Sequence, residues 1–407
     1  MKQGLFLFIS TLLVNVLNYA LNIFLARWLG PVGFSEANII ATLVLGLSFA
    51  AMGLQLTAAK LVAEDKMDVY KLLLNRIRNV SVGIAIVLIL STPVMCDYLN
   101  FESVYPLVIL FAGIPFYFLM SIVRGKLQGR TRFANLGWTY VIEGLTRTVV
   151  TLGLLLAVVN GLLSTVVVSC GFLASFVVTW IWSRGDVKHL VPAKSLSGAG
   201  HFLFIMAIYE LSQVLINNSD VILVKHFFSA EEAGLYASLA LLGKAVFFAT
   251  WAVVTVLFPK VIEKEKMGLP HIDLFYKSLL IVAGLGLCMV LGSYYFGDIV
   301  LGLAFGSVYS EMADGLWIYA LLTCCFACAN VFVYYNLSLE RYWPVFISIG
   351  IGLAQIFFIN LYHQSLREVI VVQLCMMVFF LVSMFVYQFS TINFNKIATV
   401  QTVDQIQ

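Results

Sequence analysis

Twelve apolar runs fill this sequence, each close to the length of about 20 residues that a helix needs to cross a bilayer core. They cover roughly 5–27, 37–58, 79–99, 104–123, 134–157, 162–182, 201–224, 234–258, 276–300, 314–338, 343–361 and 367–389. Lipid offers no water to backbone N–H and C=O groups, so such runs satisfy them internally as helices. The expected fold class is an all-α polytopic membrane protein with twelve transmembrane helices. Composition decides one further point. Charged residues make up 11%, against about 25% in soluble domains, which is too few to clothe a water-facing globule of this length. The third and fourth runs are separated only by an acidic turn around Asp97 and Glu102.

The basic residues give the chain an orientation. With twelve spans, the N-terminus, the even-numbered loops and the C-terminus share one side. That side holds 19 of the 24 Lys and Arg residues, from Lys2 through the clusters Lys60–Arg78 and Arg124–Arg132 to Lys396. The other side holds Arg27, Lys225 and Arg367, and the remaining two lie within spans. Such a bias places both termini in the cytoplasm. Arg27 and Lys225 sit near span ends, where long cations snorkel to the interface. Residues 60–78 are amphipathic enough to lie along the cytoplasmic face. The net charge of +3 signals no nucleic-acid partner, because position outweighs the sum.

The outward loops are short, the longest around 301–313, so no sizeable extramembrane domain fits. The N-terminal run, Gly4 to Leu25, is too long for a signal-peptide core and ends at Arg27-Trp28 rather than at a small-residue cleavage site; it reads as the first span. The seven cysteines lie mostly inside apolar runs, and the group Cys324-Cys325-Phe326-Ala327-Cys328 lacks a flanking His or carboxylate. It reads as small core residues rather than as a metal site. There is no P-loop, hence no sign of ATP as direct energy source, and no cofactor motif. The Asn-x-Ser matches at Asn79, Asn217 and Asn336 fall in or beside spans and are poor glycan acceptors.

A weak internal repeat divides the chain. At an offset of 198, Asn15 falls on Gln213, Val16 on Val214, Leu17 on Leu215, Asn22 on Asp220, Leu25 on Leu223 and Arg27 on Lys225. An offset of six spans preserves orientation, so the halves are parallel repeats. The expected domains are two six-helix bundles, 1–195 and 196–407.

Polar residues inside the spans define the candidate site. In the first span Thr11, Asn15, Asn18 and Asn22 are spaced 4, 3 and 4, and so share one helix face. The seventh span repeats this with Glu210, Gln213, Asn217 and Asp220, spaced 3, 4 and 3. The fifth carries Tyr140, Glu143, Arg147 and Thr151; Arg147 lies mid-span, where a charge costs about 2.5–3.5 kcal/mol on insertion scales. Lys244 adds a cation in the eighth. Two readings follow. Asn and Gln stripes glue helices together, with Glu143 and Arg147 as a local i,i+4 pair and Lys244 set against Asp220. Alternatively, stripes at repeat-equivalent places line a hydrated cavity between the halves.

Several segments resemble the polysaccharide-exporter family of lipid-linked oligosaccharide flippases, which includes the O-antigen flippases and shares a fold superfamily with the multidrug and toxin extruders. They are Leu25–Pro31 (LARWLGP) with Gly33-Phe34; Leu127–Arg130 (LQGR) through Phe133, then Glu143–Arg147 (EGLTR); Asp220–Lys225 (DVILVK); Glu232–Tyr236 (EAGLY) with Gly243-Lys244; Phe258-Pro259-Lys260; and Phe305–Tyr309 (FGSVY). The resemblance implies two six-helix bundles in a V, alternating access, and a cationic cavity for a sugar diphosphate head whose lipid tail stays in the bilayer. Arg147 and Lys244 would then bind pyrophosphate, and Asn15, Asn18, Asn22, Gln213 and Asn217 the sugar. Glu143, Glu210 and Asp220 would balance the cations or exchange H+ or Na+ for coupling. The implied setting is a cytoplasmic (inner) membrane, with membrane lipids as neighbours and a polysaccharide polymerase and chain-length regulator as candidate associates. The main rival is an ion-coupled multidrug extruder of the same fold, which would favour an acidic cavity. A membrane glycan polymerase or ligase is a weaker rival, since its chemistry needs a larger outward loop.

Overall fold

The computed structural model describes residues 2–63, 67–157, 161–184, 200–245, 247, 253, 257, 260–265 and 267–404. Every regular element among them is helical. In order they are α1 (Lys2–Ala63), α2 (Met67–Leu90), α3 (Thr92–Tyr98), α4 (Tyr105–Ala112), α5 (Ile114–Gly129), α6 (Phe133–Ala157), α7 (Gly161–Arg184), α8 (Gly200–Phe227), α9 (Ala230–Gly243), α10 (Ile272–Phe305), a 3-10 turn (Ser307–Met312), α11 (Ala313–Ser338), α12 (Trp343–Leu361) and α13 (Leu366–Asp404). Nine helical stretches among the described residues are long and apolar enough to cross a membrane, and the first, Phe6–Val62, has length for two crossings. With α8 and the span that α9 begins, the chain is a twelve-helix, two-bundle membrane protein. The expected eighth span, 234–258, runs on from α9 into residues partly outside the described set.

The first two spans are joined without a loop. α1 bends at Gly30 (φ 67°, ψ 179°), with Pro31 next. That backbone conformation is essentially reserved for glycine. Pro31 then occupies the first turn of the outgoing segment, where its missing N–H costs nothing. Proline does the same job at Pro93, Pro106, Pro115 and Pro344, each at the first or second position of its helix. Gly113 and Pro115 thus split one span into α4 and α5.

The described part of residues 60–78 belongs to the two flanking helices rather than to a separate surface helix. α1 continues to Ala63, and from Met67 the chain is already in α2, the helix of the third span. Tyr70 on α2 packs in a buried cluster with Ala58, Val62 and Ile122, which ties these first turns to the ends of α1 and α5. α5 meets α1 at very short range. A Cβ at Gly125 would lie 2.2 Å from the Gln55 carbonyl oxygen, and one at Gly129 2.3 Å from that of Ala59. Without a hydrophobic drive between helices in lipid, small residues four apart permit this backbone approach.

The described chain falls into two compact units: Met1–Glu210 with Lys225–Gly234, and Leu211–Val224 with Leu235–Gln407. The expected division at 195/196 lies outside the described residues. Among the candidate spans of the described residues, the most buried differs by unit. In unit 1 it is Tyr105–Gly129, 72% buried over its most apolar window, and in unit 2 Ser307–Ser338, 78% buried. By contrast Met67–Leu90 is 11% buried and shows its apolar side chains outward, as a lipid-facing span does.

Candidate functional site

In unit 1 the site is built on α5 and α6. Arg124 lies inside α5 with its side chain 5% exposed, although the basic run Arg124–Arg132 predicts a cytoplasmic loop there. Its Nη2 donates to Glu143 Oε2 at 2.6 Å and to the Thr139 carbonyl oxygen at 3.0 Å, and its Nε donates to Thr139 Oγ1 at 2.9 Å. The guanidinium stacks 4.1 Å from the centre of the Tyr140 ring. Beside it Gln55 on α1 donates to Gln128 Oε1 at 2.8 Å and, at the 3.5 Å limit, to the Tyr140 hydroxyl. This corrects the expected i,i+4 pair: Glu143 is bridged by Arg124, nineteen residues upstream, not by Arg147.

Arg147 is half-buried on α6, with its guanidinium 4.8 Å from the centre of the Phe172 ring on α7. Among the described residues no carboxylate bridges it. A cation so placed keeps its hydrogen-bond fork available to a planar or tetrahedral anion. Of the first-span stripe, Asn15 is exposed, and Asn18 and Asn22 are half-buried. Asn22 Nδ2 donates to the Asn18 carbonyl oxygen at 2.8 Å, while the buried Asn18 Oδ1 accepts no hydrogen bond.

Unit 2 builds a different constellation. Asp220 on α8 is fully buried. Its Oδ2 accepts hydrogen bonds from the hydroxyls of Tyr236 on α9, at 3.0 Å, and Tyr319 on α11, at 2.6 Å. Gln373 on α13 donates in turn to the Tyr236 hydroxyl. Lys244, in the turn after α9, stands 3.7 Å from Asp220 Oδ1. That is an ion pair but too long for a hydrogen bond, and Oδ1 has no hydrogen-bond partner. The expected pairing of Lys244 with Asp220 is present. A cavity of about 10 Å³, lined by Asn217, Lys244, Tyr319, Gln355 and Gln373 among others, adjoins this group. It has room for roughly one water-sized species.

The rest of the seventh-span stripe divides. Gln213 is buried and exchanges two hydrogen bonds with Asn330 on α11, at 3.1 and 3.2 Å. Its amide is occupied in joining helices. Asn217 donates to the Gln213 carbonyl oxygen at 2.8 Å and lines the same cavity. Glu210 is half-buried, and no side chain among the described residues bridges it. Lys225 is 1% exposed rather than snorkelling: its Nζ donates to Ser35 Oγ at 2.9 Å and lies 5.7 Å from the centre of the Phe101 ring. Near it the carboxylate of Glu36 accepts the Glu102 N–H at 2.8 Å.

Sequence reasoning missed Arg124, the two phenols on Asp220, and Gln373. A signal for Arg124 was present. Gly125 and Gly129, four apart, mark a helix–helix contact that has to continue past the arginine. The phenols carry no such signal, because Tyr319 is 99 residues from Asp220. Among the described residues no group of three or more His, Cys, Asp or Glu is placed to hold a metal ion.

This two-bundle, twelve-helix architecture is shared with solved structures of membrane proteins. An inward-facing multidrug resistance MATE family transporter matches with TM-score 0.73 and 15% identity, over 94% of this chain and 95% of that one. The lipid II flippase MurJ, in an inward closed conformation, matches with TM-score 0.73 and 13% identity, over 93% and 86%. A MOP superfamily transporter from Pyrococcus furiosus, described as having a binding pocket of reverse polarity, matches with TM-score 0.58 and 14% identity, over 96% and 95%. At these identities the likeness shows the fold. The family is given by sequence: the model of the polysaccharide biosynthesis protein family matches residues 1–263, and the chain belongs to that family. No curated protein matches it.

Proposed function

We propose that this protein is a flippase that carries an undecaprenyl-diphosphate-linked oligosaccharide repeat unit across the cytoplasmic membrane by alternating access, for surface polysaccharide such as O-antigen, capsule or exopolysaccharide. One observation carries the reading. Arg147 is a half-buried, unbridged guanidinium deep in an apolar helix, because Arg124 has taken Glu143. A cation at such depth, whose neighbouring carboxylate Glu143 is bridged by another arginine, is a functional group by default, and an anion that comes and goes would supply its counter-charge. The diphosphate of a lipid carrier fits that need, and Asn15, Asn18 and Asn22 on α1 offer amides to sugar hydroxyls.

Lys244 plays a different part in this proposal. It already faces Asp220, so the pair serves first as a charge-balanced coupling element, in which a proton or Na+ on Asp220 releases Lys244. Asn217 lines the same cavity, and Gln213 holds α8 to α11. Glu210 is assigned to ion coupling. The bundles 1–195 and 196–407, with both termini cytoplasmic, complete the working arrangement, and no chemical step is assigned to the chain. The multidrug-extruder reading would use Asp220 to attract cationic drugs, but a carboxylate flanked by Lys244 and two phenols is poorly placed for that.

The test is Arg147→Ala in the native strain. The variant is expected in the membrane at normal abundance, with lipid-linked glycan accumulating on the cytoplasmic leaflet and surface polysaccharide lost. Normal surface polysaccharide in that strain would sink the role of Arg147. Drug resistance conferred by the wild-type chain and lost in Asp220→Asn would favour the extruder.

A further inference from the structure

A second cationic group lies at the end of α5, away from Arg147. Lys126 is 7% exposed, and its ammonium stands 5.6 Å from the centre of the Tyr70 ring. No acceptor among the described residues bonds it, and the charges that act on it are Arg130 and Lys71, both positive. Arg130, one turn on, has its Nε buried without an acceptor, while its Nη2 reaches only the thioether of Met67, at 3.4 Å. Like charges at i and i+4 oppose helix formation, and a thioether is a weak acceptor. Proximity to the α5 C-terminus favours cations there, but it supplies no acceptor for the Arg130 Nε–H. Asp68, on the first turn of α2, is exposed and paired with Lys71 at 3.9 Å; Glu64 and Asp65 lie outside the described residues. The group is graded in access, from buried Lys126 through half-buried Arg130 to exposed Lys71.

We propose that Lys126, held over the Tyr70 ring, forms with Arg130 and Lys71 a binding site for a phosphate group, and that the phosphate belongs to the headgroup of an anionic membrane lipid. The aromatic ring fixes the Lys126 ammonium, and the Arg130 fork supplies the directed donors. A lipid source is favoured by what flanks the cations on α2: Val69 is 46% exposed and Leu72 69% exposed. Exposed apolar residues beside a basic cluster are the pattern of a membrane interface. The site is independent of the flippase reading.

The test uses the purified full-length protein in neutral detergent, titrated with phosphatidylglycerol, with phosphatidylcholine, or with inorganic phosphate. Thermal unfolding and native mass spectrometry give the affinities. Phosphatidylglycerol is expected to bind and to raise the unfolding temperature, well above the effect of phosphatidylcholine. Arg130→Gln should weaken phosphatidylglycerol binding roughly fivefold, the worth of one cation at an anionic surface. Lys126→Met should abolish most of the lipid-induced shift, while the lipid-free protein unfolds no earlier than wild type, since an unpaired ammonium is replaced by an apolar chain of similar length. Equal stabilisation by inorganic phosphate alone would assign the site to free phosphate instead of lipid. Wild-type affinity for both ligands in Lys126→Met and Arg130→Gln would overturn the proposal.

Discussion

The two units each hold a carboxylate and a cation inside their spans, and they resolve the charge in opposite ways. In unit 1 Glu143 is neutralised at 2.6 Å by Arg124, which also bonds Thr139 twice, and a second arginine is left over. In unit 2 Asp220 has one oxygen held by two phenols and the other facing Lys244 at 3.7 Å. The first arrangement is closed around its acid and open at Arg147. The second is closed around its acid and loose at its cation. A half that presents a standing positive charge suits an anionic cargo, whereas one with a loose internal ion pair suits a group that changes partner during a cycle.

The comparison breaks first at Arg124. Arg124→Ala removes one side of a buried pair and leaves Glu143 uncompensated, an expected loss of about 3–5 kcal/mol, read as thermal unfolding in detergent. Unchanged stability would show that Arg147 swings over to take Glu143, and the claimed asymmetry would vanish. Asp220→Asn keeps an oxygen acceptor for both phenols but leaves Lys244 without its anion. The expected loss is smaller, about 1–3 kcal/mol, in the same unfolding measurement. A double-mutant cycle between Gln213→Leu and Asn330→Leu should give a coupling of about 0.6 kcal/mol for each of their hydrogen bonds; a coupling near zero would return Gln213 to the cargo-binding set. Arg147→Ala should cost least, about 0.5–1 kcal/mol from the lost ring contact, and yet remove transport of lipid-linked glycan. A large loss of stability in that variant would make Arg147 a structural residue.

The class of fold was legible because it follows from a physical necessity: runs of about 20 apolar residues have only one way to satisfy their backbone in lipid. Local detail was legible where it depended on neighbours in the chain or in the repeat. Lys244 and Asp220, on consecutive spans, were matched correctly. It failed where an interaction skipped spans or where a charge cluster gave the wrong cue. Arg124 heads a basic stretch and so reads as an interface, although α5 carries it into the bundle. Glu143 and Arg147 are one turn apart, but helical adjacency only permits a pair, and an arginine on the preceding helix reaches the carboxylate with better geometry. Lys225 was likewise read as an interfacial cation, since nothing local reveals that Ser35 and Phe101 lie around it.

The bend at Gly30 makes the chain sensitive to counting. Loops between spans ordinarily absorb an extra residue, but here no loop separates the first two crossings. One residue added after Gly30 would rotate everything up to Ala63 by about 100° and advance it by about 1.5 Å. Glu36 would turn away from the Glu102 N–H, and the carbonyls of Gln55 and Ala59 would no longer meet the glycine notches of α5. The corner that looks like the natural place for an epitope tag therefore sets the angular phase of the second span, and tags belong elsewhere.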